Sequence, residues 1–250
     1  MQLTEWVRFC AGFPCSRPLQ IMSTIESNLQ AVRARIAAAA KAAGREPGDV
    51  ALLAVSKTFA AAEVRAAYAA GQREFGENYV QEATQKIAAL SALPLVWHFI
   101  GPIQSNKTRA IAEHFQWVHS VAREKIALRL AEARPQELGP LDICLQVNVS
   151  GEASKSGVAP DEVRQLAEAV RALPRLRLRG LMAVPEPSDD VGLQRRRFCG
   201  LRLLLEQLNA AGFALDTLSM GMSQDLEAAV LEGATIVRVG TAIFGERVKA

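Results

Sequence analysis

The chain has 250 residues, of which 50% are hydrophobic and 22% are charged, and this composition excludes intrinsic disorder, collagen-like repeats and coiled coils. Its 29 Lys and Arg residues exceed its 26 Asp and Glu residues only slightly, and the cations are spread along the chain. Neither nucleic acid nor an anionic membrane is therefore expected as a partner. No apolar run reaches the roughly 20 residues that a membrane span requires.

The cysteine content bears on the cellular compartment. The chain contains four cysteines: Cys10, Cys15, Cys144 and Cys199. Their spacing fits no short metal-binding motif, and a chain of this length does not need disulfides for stability. We therefore expect a reducing cytoplasm, ordinary thiols and no bound metal.

The folded part of the chain is predicted to begin with a helix. Ser23 to Glu26 form a capping-box pattern, and the Ala-rich amphipathic stretch that follows continues to about Ala43. Residues 1–21 lack the basic start and the long apolar run of a secretory signal. We interpret them as a disordered tail or as an extension from a misassigned start codon, and we expect residues 22–250 to form a single domain.

After Gly44, short apolar or β-branched runs that are typical of buried strands alternate with helical segments rich in Ala and Leu. The eight predicted strands are Val50–Ser56, Arg73–Gly76, Leu95–Ile100, Trp117–Ser120, Leu141–Val149, Leu176–Val184, Thr217–Met220 and Ile236–Gly240. The seven helices predicted between them are Ala61–Ala70, Tyr79–Ala89, Asn106–His114, Arg123–Arg134, Pro160–Leu173, Gly192–Ala211 and Ser223–Leu231. This alternation is typical of parallel βα units.

Eight strands alternating with helices, preceded by one extra N-terminal helix, predict a closed (β/α)8 TIM barrel, and the chain length fits that fold. A doubly wound open sheet is the alternative, because a single sequence does not reveal the order of the strands. In such a barrel the ligand lies at the carboxyl ends of the strands. The residues just after each predicted strand are therefore the candidate site.

Lys57 directly follows the first predicted strand and is the first candidate for chemistry. Only seven of the 29 cationic residues are lysines, so a lysine at the edge of an apolar strand stands out. Burial lowers the pKa of an amine and favours its attack on carbonyl groups. The alternative is an ordinary lysine at a strand end that extends its amine into solvent.

The ends of the seventh and eighth predicted strands carry the residues of an anion site. Ser223 suits the N-cap of the helix after strand seven, where its hydroxyl and the free N–H groups of the first turn would face an anion. At the end of strand eight, Gly240 permits close approach of the backbone and Thr241 adds a hydroxyl. Barrels often bind phosphate at these two loops. An ordinary helix start or turn is the alternative reading of each loop.

Closure of a barrel makes the first and eighth strands neighbours, so Lys57 would lie across the mouth from Gly240. An amine for an aldehyde, together with a site for a phosphate, is what pyridoxal phosphate (PLP) requires. Arg238 would point toward the cofactor ring from the same strand as Gly240, or would form an ion pair in the barrel. Asn78, after the second strand, is placed to bond a ring oxygen of the ligand or to cap the next helix. A Schiff-base aldolase acting on a phosphorylated sugar would use the same lysine and phosphate site.

Seven segments in chain order carry the most specific signal: Ala54–Thr58, Phe75–Glu82, His98–Lys107, Ser154–Gly157, Arg179–Ala183, Ser219–Ser223 and Arg238–Gly245. Together they resemble the pyridoxal phosphate homeostasis proteins. These are single-domain relatives of the N-terminal barrel of alanine racemase, the third fold type of PLP proteins. The resemblance extends from about Ser23 to Arg247 and leaves residues 1–21 outside it.

The resemblance implies which residues contact the cofactor: Lys57, Asn78, Met182, Ser223, Arg238, Gly240 and Thr241. It implies that Lys57 carries PLP as an internal aldimine and that Arg238 faces the pyridine nitrogen. The phosphate is implied to lie at the ends of strands seven and eight, and Met182 to pack near the ring. Members of the family are taken to bind PLP, buffer it and deliver it, and to influence the balance of amino acids and keto acids.

The resemblance also implies a carrier without catalytic residues. A two-base racemase of this barrel type takes a tyrosine from a second β domain, whereas Tyr68 and Tyr79 lie in or at the start of predicted barrel helices and the chain ends before such a domain. A missing acid or base costs about 10²–10⁴-fold in rate. We expect a cytoplasmic monomer or weak dimer whose partners are PLP and enzymes that lack this cofactor. A PLP-dependent racemase or lyase of low activity is the alternative.

Overall fold

A closed barrel of eight parallel strands forms the centre of the computed structural model, which describes residues 17–151 and 156–246. The strands are β1 Ala51–Val55, β2 Glu74–Glu77, β3 Val96–Phe99, β4 Trp117–Val121, β5 Leu141–Gln146, β6 Leu176–Met182, β7 Thr217–Ser219 and β8 Ile236–Val239. They pair in sequence order, and β1 closes the barrel against β8 with Ala54 opposite Val239. The prediction of a (β/α)8 barrel is confirmed, and the open-sheet alternative is wrong.

Helices surround the barrel. They are α1 Arg17–Ala42, α2 Ala61–Ala69, α3 Val80–Ala89, α4 Thr108–His114, α5 Glu124–Ala133, α6 Val163–Arg171, α7 Val191–Ala210, α8 Leu226–Leu231 and α9 Thr241–Phe244. Seven of them, α2 to α8, connect successive strands, while α1 precedes β1 and α9 follows β8. Large apolar side chains that are fully buried, such as Phe75, Phe99 and Phe198, fill the core. Their burial provides the main driving force for folding.

The first helix begins earlier than the capping-box pattern predicts. Helix α1 starts at Arg17, so Ser23 lies inside it and the prediction of an N-cap at Ser23 is wrong. Pro18 does not prevent this start, because a proline in the first turn of a helix loses no hydrogen bond. Residues 17–21 thus belong to α1, and the remainder of the segment interpreted as a tail, residues 1–16, lies outside the described residues.

Some residues named above lie outside the described residues. They are Cys10, Cys15, and Ser154 and Lys155 at the start of the segment Ser154–Gly157. In the described part of the chain, Cys144 is buried, Cys199 is half-buried, and neither forms a disulfide. Over those same residues, no cluster of His, Cys, Asp and Glu side chains could hold a metal ion, and no helix has the length and apolar character to cross a membrane.

Helix α1 braces the loops at the carboxyl ends of β7 and β8 from outside. The Arg35 guanidinium bonds both carboxylate oxygens of Glu227 at 2.7 and 2.9 Å and donates to the Ser223 carbonyl at 3.0 Å. Asn28 Nδ2 donates to the Ile243 carbonyl at 2.9 Å. The extra N-terminal helix therefore fixes the backbone of the two loops that the sequence marks as an anion site.

Replacing Arg35 by glutamine is expected to lower the free energy of unfolding by about 0.5 kcal/mol, because the ion pair with Glu227 is partly exposed and screened by solvent. The Arg35 hydrogen bond lowers the pKa of Glu227 below its ordinary value. A carboxyl of lowered pKa stabilises the fold above its unfolded pKa and ceases to do so as the pH falls through its folded pKa. Urea unfolding should therefore separate Arg35→Gln from wild type at neutral pH and not in acid. Arg164→Gln, which removes an exposed pair with Glu168 within α6, is the control and should cost less.

Candidate functional site

A cleft of about 530 Å³ opens at the carboxyl ends of the strands. Six of the predicted site residues line it: Lys57, Asn78, Ser223, Arg238, Gly240 and Thr241. Three other concavities have similar volumes, between about 470 and 520 Å³, so volume alone does not select the site. We select this cleft because residues from distant parts of the chain bring an amine, a guanidinium, hydroxyls and a glycine loop together in it.

Lys57 reaches the cleft because β1 ends two residues before it. The backbone then turns sharply, since Thr58 has a positive φ of 69°, a conformation that costs a residue with a Cβ about 1 kcal/mol or more. The Thr58 amide donates to Glu82 Oε1 at 2.6 Å, which holds this turn in place. The amine is thus presented at the mouth by a turn that depends on contacts outside the cleft.

A buried charged network, which no sequence pattern indicates, supports this turn from outside the cleft. Lys86 Nζ lies 2.7 Å from Glu77 Oε1, 2.6 Å from Glu82 Oε1 and 2.6 Å from the Ser56 carbonyl. The Ser56 hydroxyl donates to the same Glu77 oxygen at 2.6 Å. Burial raises the pKa of Glu77, and the neighbouring Lys86 ammonium opposes that rise. The network joins the end of β1 to β2 and α3.

The loop after β7 differs from its prediction. Helix α8 begins at Leu226 with Asp225 at the N-cap position, so the prediction that Ser223 caps this helix is wrong. The turn before α8 is closed instead by the Asp225 carboxylate, which accepts from the Met222 amide at 2.5 Å. Ser223 still lines the cleft, held through its carbonyl by Arg35.

The loop after β8 packs its backbone directly against β1. A Cβ added to Gly240 would lie 3.1 Å from the Val55 carbonyl oxygen, closer than an ordinary contact. Gly240 is the N-cap residue of α9, so the first amides of that helix, at Thr241 and Ala242, have no acceptor within it. These amides and the Thr241 hydroxyl are donors beside β1, the strand that precedes Lys57.

Arg238 lies deep in the cleft and is only 4% exposed. Its Nη1 donates to Ser219 Oγ and its Nη2 to the Ala183 carbonyl, both at 2.8 Å. Burial lowers its pKa to about 10, against the opposing charge of Asp225, so it is protonated at neutral pH. The predicted alternative for Arg238, an ion pair in the barrel, is wrong: among the described residues its partners are a neutral hydroxyl and a neutral carbonyl, and it forms no salt bridge.

Asn78 and Met182 differ in their placement. Asn78 Oδ1 is buried without a hydrogen-bond partner among the described residues. Asn78 does not cap α3, because Tyr79 occupies the N-cap position of that helix. Met182 is 1% exposed at the end of β6 and is absent from the residues lining the cleft. The predicted proximity of Met182 to a bound ring thus stays a prediction.

One wall of the cleft is not among the predicted site residues. It includes Val184, Pro187, Ser188, Gln194 and Asp225. Four of them follow β6 or begin α7, so the rule that sites form after strand ends could have found them. Burial raises the pKa of Asp225, while its bond to the Met222 amide and the charge of Arg238 oppose the rise.

Known proteins share this fold and much of this sequence. The model of the family described as the N-terminal domain of alanine racemase matches residues 27–248. A pyridoxal phosphate homeostasis protein of Pseudomonas aeruginosa is 67% identical over 226 residues, which are 90% of this chain and 97% of that protein. PipY of Synechococcus elongatus, solved with PLP bound, is 39% identical with a TM-score of 0.78 over 88% of this chain and 100% of its own.

A more distant likeness concerns the fold alone. Alanine racemase from Corynebacterium glutamicum is 17% identical, with a TM-score of 0.70 over 92% of this chain and 63% of its own. The family resemblance predicted from the seven segments is thereby confirmed. With its barrel matched by the alanine racemase model and its sequence by these close relatives, the chain belongs to the pyridoxal phosphate homeostasis protein family.

Proposed function

We propose that this protein binds PLP in the cleft, holds it covalently on Lys57 and delivers it to enzymes that require it. The single observation that carries the proposal is the convergence of the Lys57 amine, the Arg238 guanidinium and the Gly240 loop in one cleft. The relatives support it, since one named as a homeostasis protein is 67% identical and one solved with PLP is 39% identical.

The residues of the cleft fit the chemical groups of PLP. The orphaned Oδ1 of Asn78 would be satisfied by a donor on the ligand, such as a ring hydroxyl. The amides and hydroxyl after Gly240 suit a phosphate. Arg238 has five N–H groups, and among the described residues it uses two of them, on Ser219 and Ala183, so three remain for a ring nitrogen. Together these residues provide for the hydroxyl, the phosphate and the pyridine nitrogen of PLP.

When bound, PLP supplies an electrophilic aldehyde and a ring that accepts electrons. The Lys57 amine would hold the cofactor at its aldehyde. Arg238, protonated at neutral pH, would donate to the ring nitrogen and keep it unprotonated, which would weaken electron withdrawal by the ring. Ser223 and the backbone after Gly240 would bind the phosphate. These roles favour secure holding of the cofactor over chemistry on a substrate.

The cleft supports a carrier better than an enzyme. Among the described residues that line it, the ionisable side chains are Lys57, Asp225 and Arg238. The Asp225 carboxylate is engaged by the Met222 amide, and the Arg238 guanidinium stays charged. Two-base racemisation at a substrate carbon needs an acid and a base on opposite faces, and Lys57 supplies one of them. We propose a cytoplasmic carrier, with a weak PLP-dependent racemase or lyase as the second candidate.

The absorption spectrum of the purified protein tests the proposal. We expect a visible band that borohydride removes, with a pyridoxyl group found on Lys57 by peptide mass mapping. A protein that is colourless and takes up no added PLP would contradict the proposal and favour the aldolase of phosphorylated sugars, which has no chromophore. Turnover across an amino-acid panel would favour the racemase or lyase.

Transfer is tested separately from binding. The loaded protein is mixed with a PLP enzyme freed of its cofactor, in the presence of a reagent that removes free PLP. Recovery of enzyme activity under these conditions is expected from delivery, because free cofactor would be trapped. Failure to recover activity would restrict the function to storage.

Replacing Gly240 by alanine is expected to weaken PLP binding about tenfold, because the added Cβ forces the loop away from Val55 and displaces its donors. The backbone φ of −114° suits alanine, so the fold should persist. Fluorescence titration with PLP measures the change. Gly200→Ala in α7 is the control: its Cβ would meet nothing within 4 Å, and it should leave affinity unchanged while stabilising the helix slightly.

A further inference from the structure

Four buried polar side chains form a hydrogen-bonded chain through the interior of the barrel. Arg238 Nη1 lies 2.8 Å from Ser219 Oγ, and that oxygen lies 2.7 Å from His119 Nδ1. His119 Nε2 in turn lies 2.9 Å from His98 Nδ1. Each of the four residues is at most 4% exposed, and of the four only Arg238 lines the cleft. The chain thus leads from the cleft into the core.

The direction of the hydrogen bonds at the cleft end follows from donor chemistry. Arginine only donates, so Ser219 Oγ accepts from Arg238. Among the described residues the Ser219 hydroxyl has two partners, Arg238 and His119. Its own proton therefore finds an acceptor only at His119 Nδ1. That nitrogen must then be unprotonated, and the proton of the neutral ring is on Nε2.

The end of the hydrogen-bonded series farthest from the cleft, at His98, favours the same order of donors and acceptors. From Nε2, His119 donates to His98 Nδ1, which places the His98 proton on its own Nε2. This Nε2 is buried, has no hydrogen-bond partner among the described residues, and lies 3.7 Å from Glu74 Oε2. The Glu74 carboxylate attracts an N–H group at this position and would repel the lone pair of an unprotonated nitrogen. A bridging water would complete the bond across this distance.

Both histidine rings are neutral, as this order of donors and acceptors requires. Burial lowers the pKa of His98 to about 3 and that of His119 well below 6.5, and the charge of Arg238 adds to the lowering at His119. A charged ring would donate from both nitrogens. The Ser219 hydroxyl proton would then have no acceptor, and two donors would face each other between the rings.

We infer that Ser219, His119 and His98 act together as positioning residues for the Arg238 guanidinium. The Ser219 oxygen directs a lone pair at Arg238 only while its proton is accepted by His119. His119 accepts that proton only while its other nitrogen donates to His98. Three residues on β7, β4 and β3 thereby fix the orientation of the N–H groups that Arg238 presents to the cleft. The consequence for PLP rests on the proposed function, in which these groups meet the ring nitrogen.

Nitrogen-15 NMR of the full chain without cofactor tests the hydrogen-bonded chain directly. At neutral pH we expect both buried histidines to show a protonated Nε2 and an unprotonated Nδ1. In Ser219→Ala the single tautomer of His119 and the resolved guanidinium signals of Arg238 should be lost. Ser120→Ala is the matched control, because Ser120 is also buried and its hydroxyl donates to the Gly101 carbonyl at 2.5 Å. A protonated Nδ1 on either ring, or an unchanged Ser219→Ala spectrum, would overturn the inference.

Titration with PLP tests the positioning role. Ser219→Ala and His98→Phe are expected to bind PLP about tenfold more weakly and to shift its visible absorption maximum, while Ser120→Ala matches wild type. His98 is absent from the residues that line the cleft, so its effect must pass through the hydrogen bonds of His119 and Ser219. If His98→Phe does not fold, Ser219→Ala decides. Unchanged affinity and spectrum in the folded variants would refute the role; if wild type itself takes up no PLP, the proposed function fails while the NMR result still stands.

Discussion

Replacing Lys57 by alanine is expected to abolish covalent capture of PLP. After incubation with PLP and borohydride, the variant should carry at least about 100-fold less label than wild type. The reason is that, among the described residues that line the cleft, no other side chain is an amine. The Lys57 side chain extends from the end of β1 and is partly exposed, so its removal should leave the barrel folded. Mass spectrometry of the intact protein and thermal unfolding measure the two effects.

Lys125→Ala is the matched control, since Lys125 is exposed on α5 and away from the cleft. It should retain full labelling. Residual binding of PLP to Lys57→Ala without a covalent bond is expected, because Arg238 and the loop after Gly240 are unchanged. Label recovered at wild-type level in Lys57→Ala would show that another lysine is the attachment point, and the proposed role of Lys57 would then be wrong.

The strand-end rule explains why much of the site could be predicted. Parallel strands of a barrel all end at one mouth, so the residues after each apolar run meet there without any knowledge of side-chain contacts. Lys57 and Asn78 follow predicted strands, Gly240 ends one and Arg238 lies two residues before that end, and all four line one cleft. The alternation of strands and helices likewise predicts the elements of the fold, since the eight observed strands each overlap a predicted one. The pairing of β1 with β8 then decides between a closed barrel and an open sheet.

The features that escaped prediction depend on partners far away in the chain. The hydrogen bond of His119 to Ser219 spans 100 residues, and which side chains meet inside a barrel depends on strand register and tilt. The local pattern predicts an N-cap at Ser223, whereas Asp225 occupies that position because α8 begins at Leu226. Helix ends are set by competing local bonds that differ little in free energy, so patterns place them only to within a few residues.

The network behind the Lys57 turn carries the largest expected effect on stability. Glu77 is fully buried, and its Oε2 has no hydrogen-bond partner among the described residues. Its charge is therefore compensated at Oε1, by Lys86 Nζ and the Ser56 hydroxyl. Lys86 is itself only 5% exposed. Removing one member of such a pair leaves a buried charge without compensation, which costs more than the pair contributes.

Replacing Lys86 by methionine is expected to lower the free energy of unfolding by about 3–5 kcal/mol at neutral pH, or the melting temperature by about 10 °C. Without the ammonium, burial raises the pKa of Glu77 further above its ordinary 4.5. A carboxyl of raised pKa is protonated in both states below its unfolded pKa and destabilises the fold as the pH rises above it. The loss should therefore shrink as the pH falls toward 4.5. Denaturant unfolding across this pH range measures it.

The double variant Lys86→Met with Glu77→Gln removes the charge as well as its partner and should recover most of the lost stability, whereas Lys125→Met should cost little. A double variant as unstable as Lys86→Met alone would mean that packing, and not the buried charge, governs this position. Lys86 also binds the Ser56 carbonyl, and Glu82 accepts from the Thr58 amide. In the folded Lys86→Met protein, Lys57 should therefore react more slowly with PLP. Stability and the presentation of the Lys57 amine would then fall together, since the same carboxylates and ammonium maintain both.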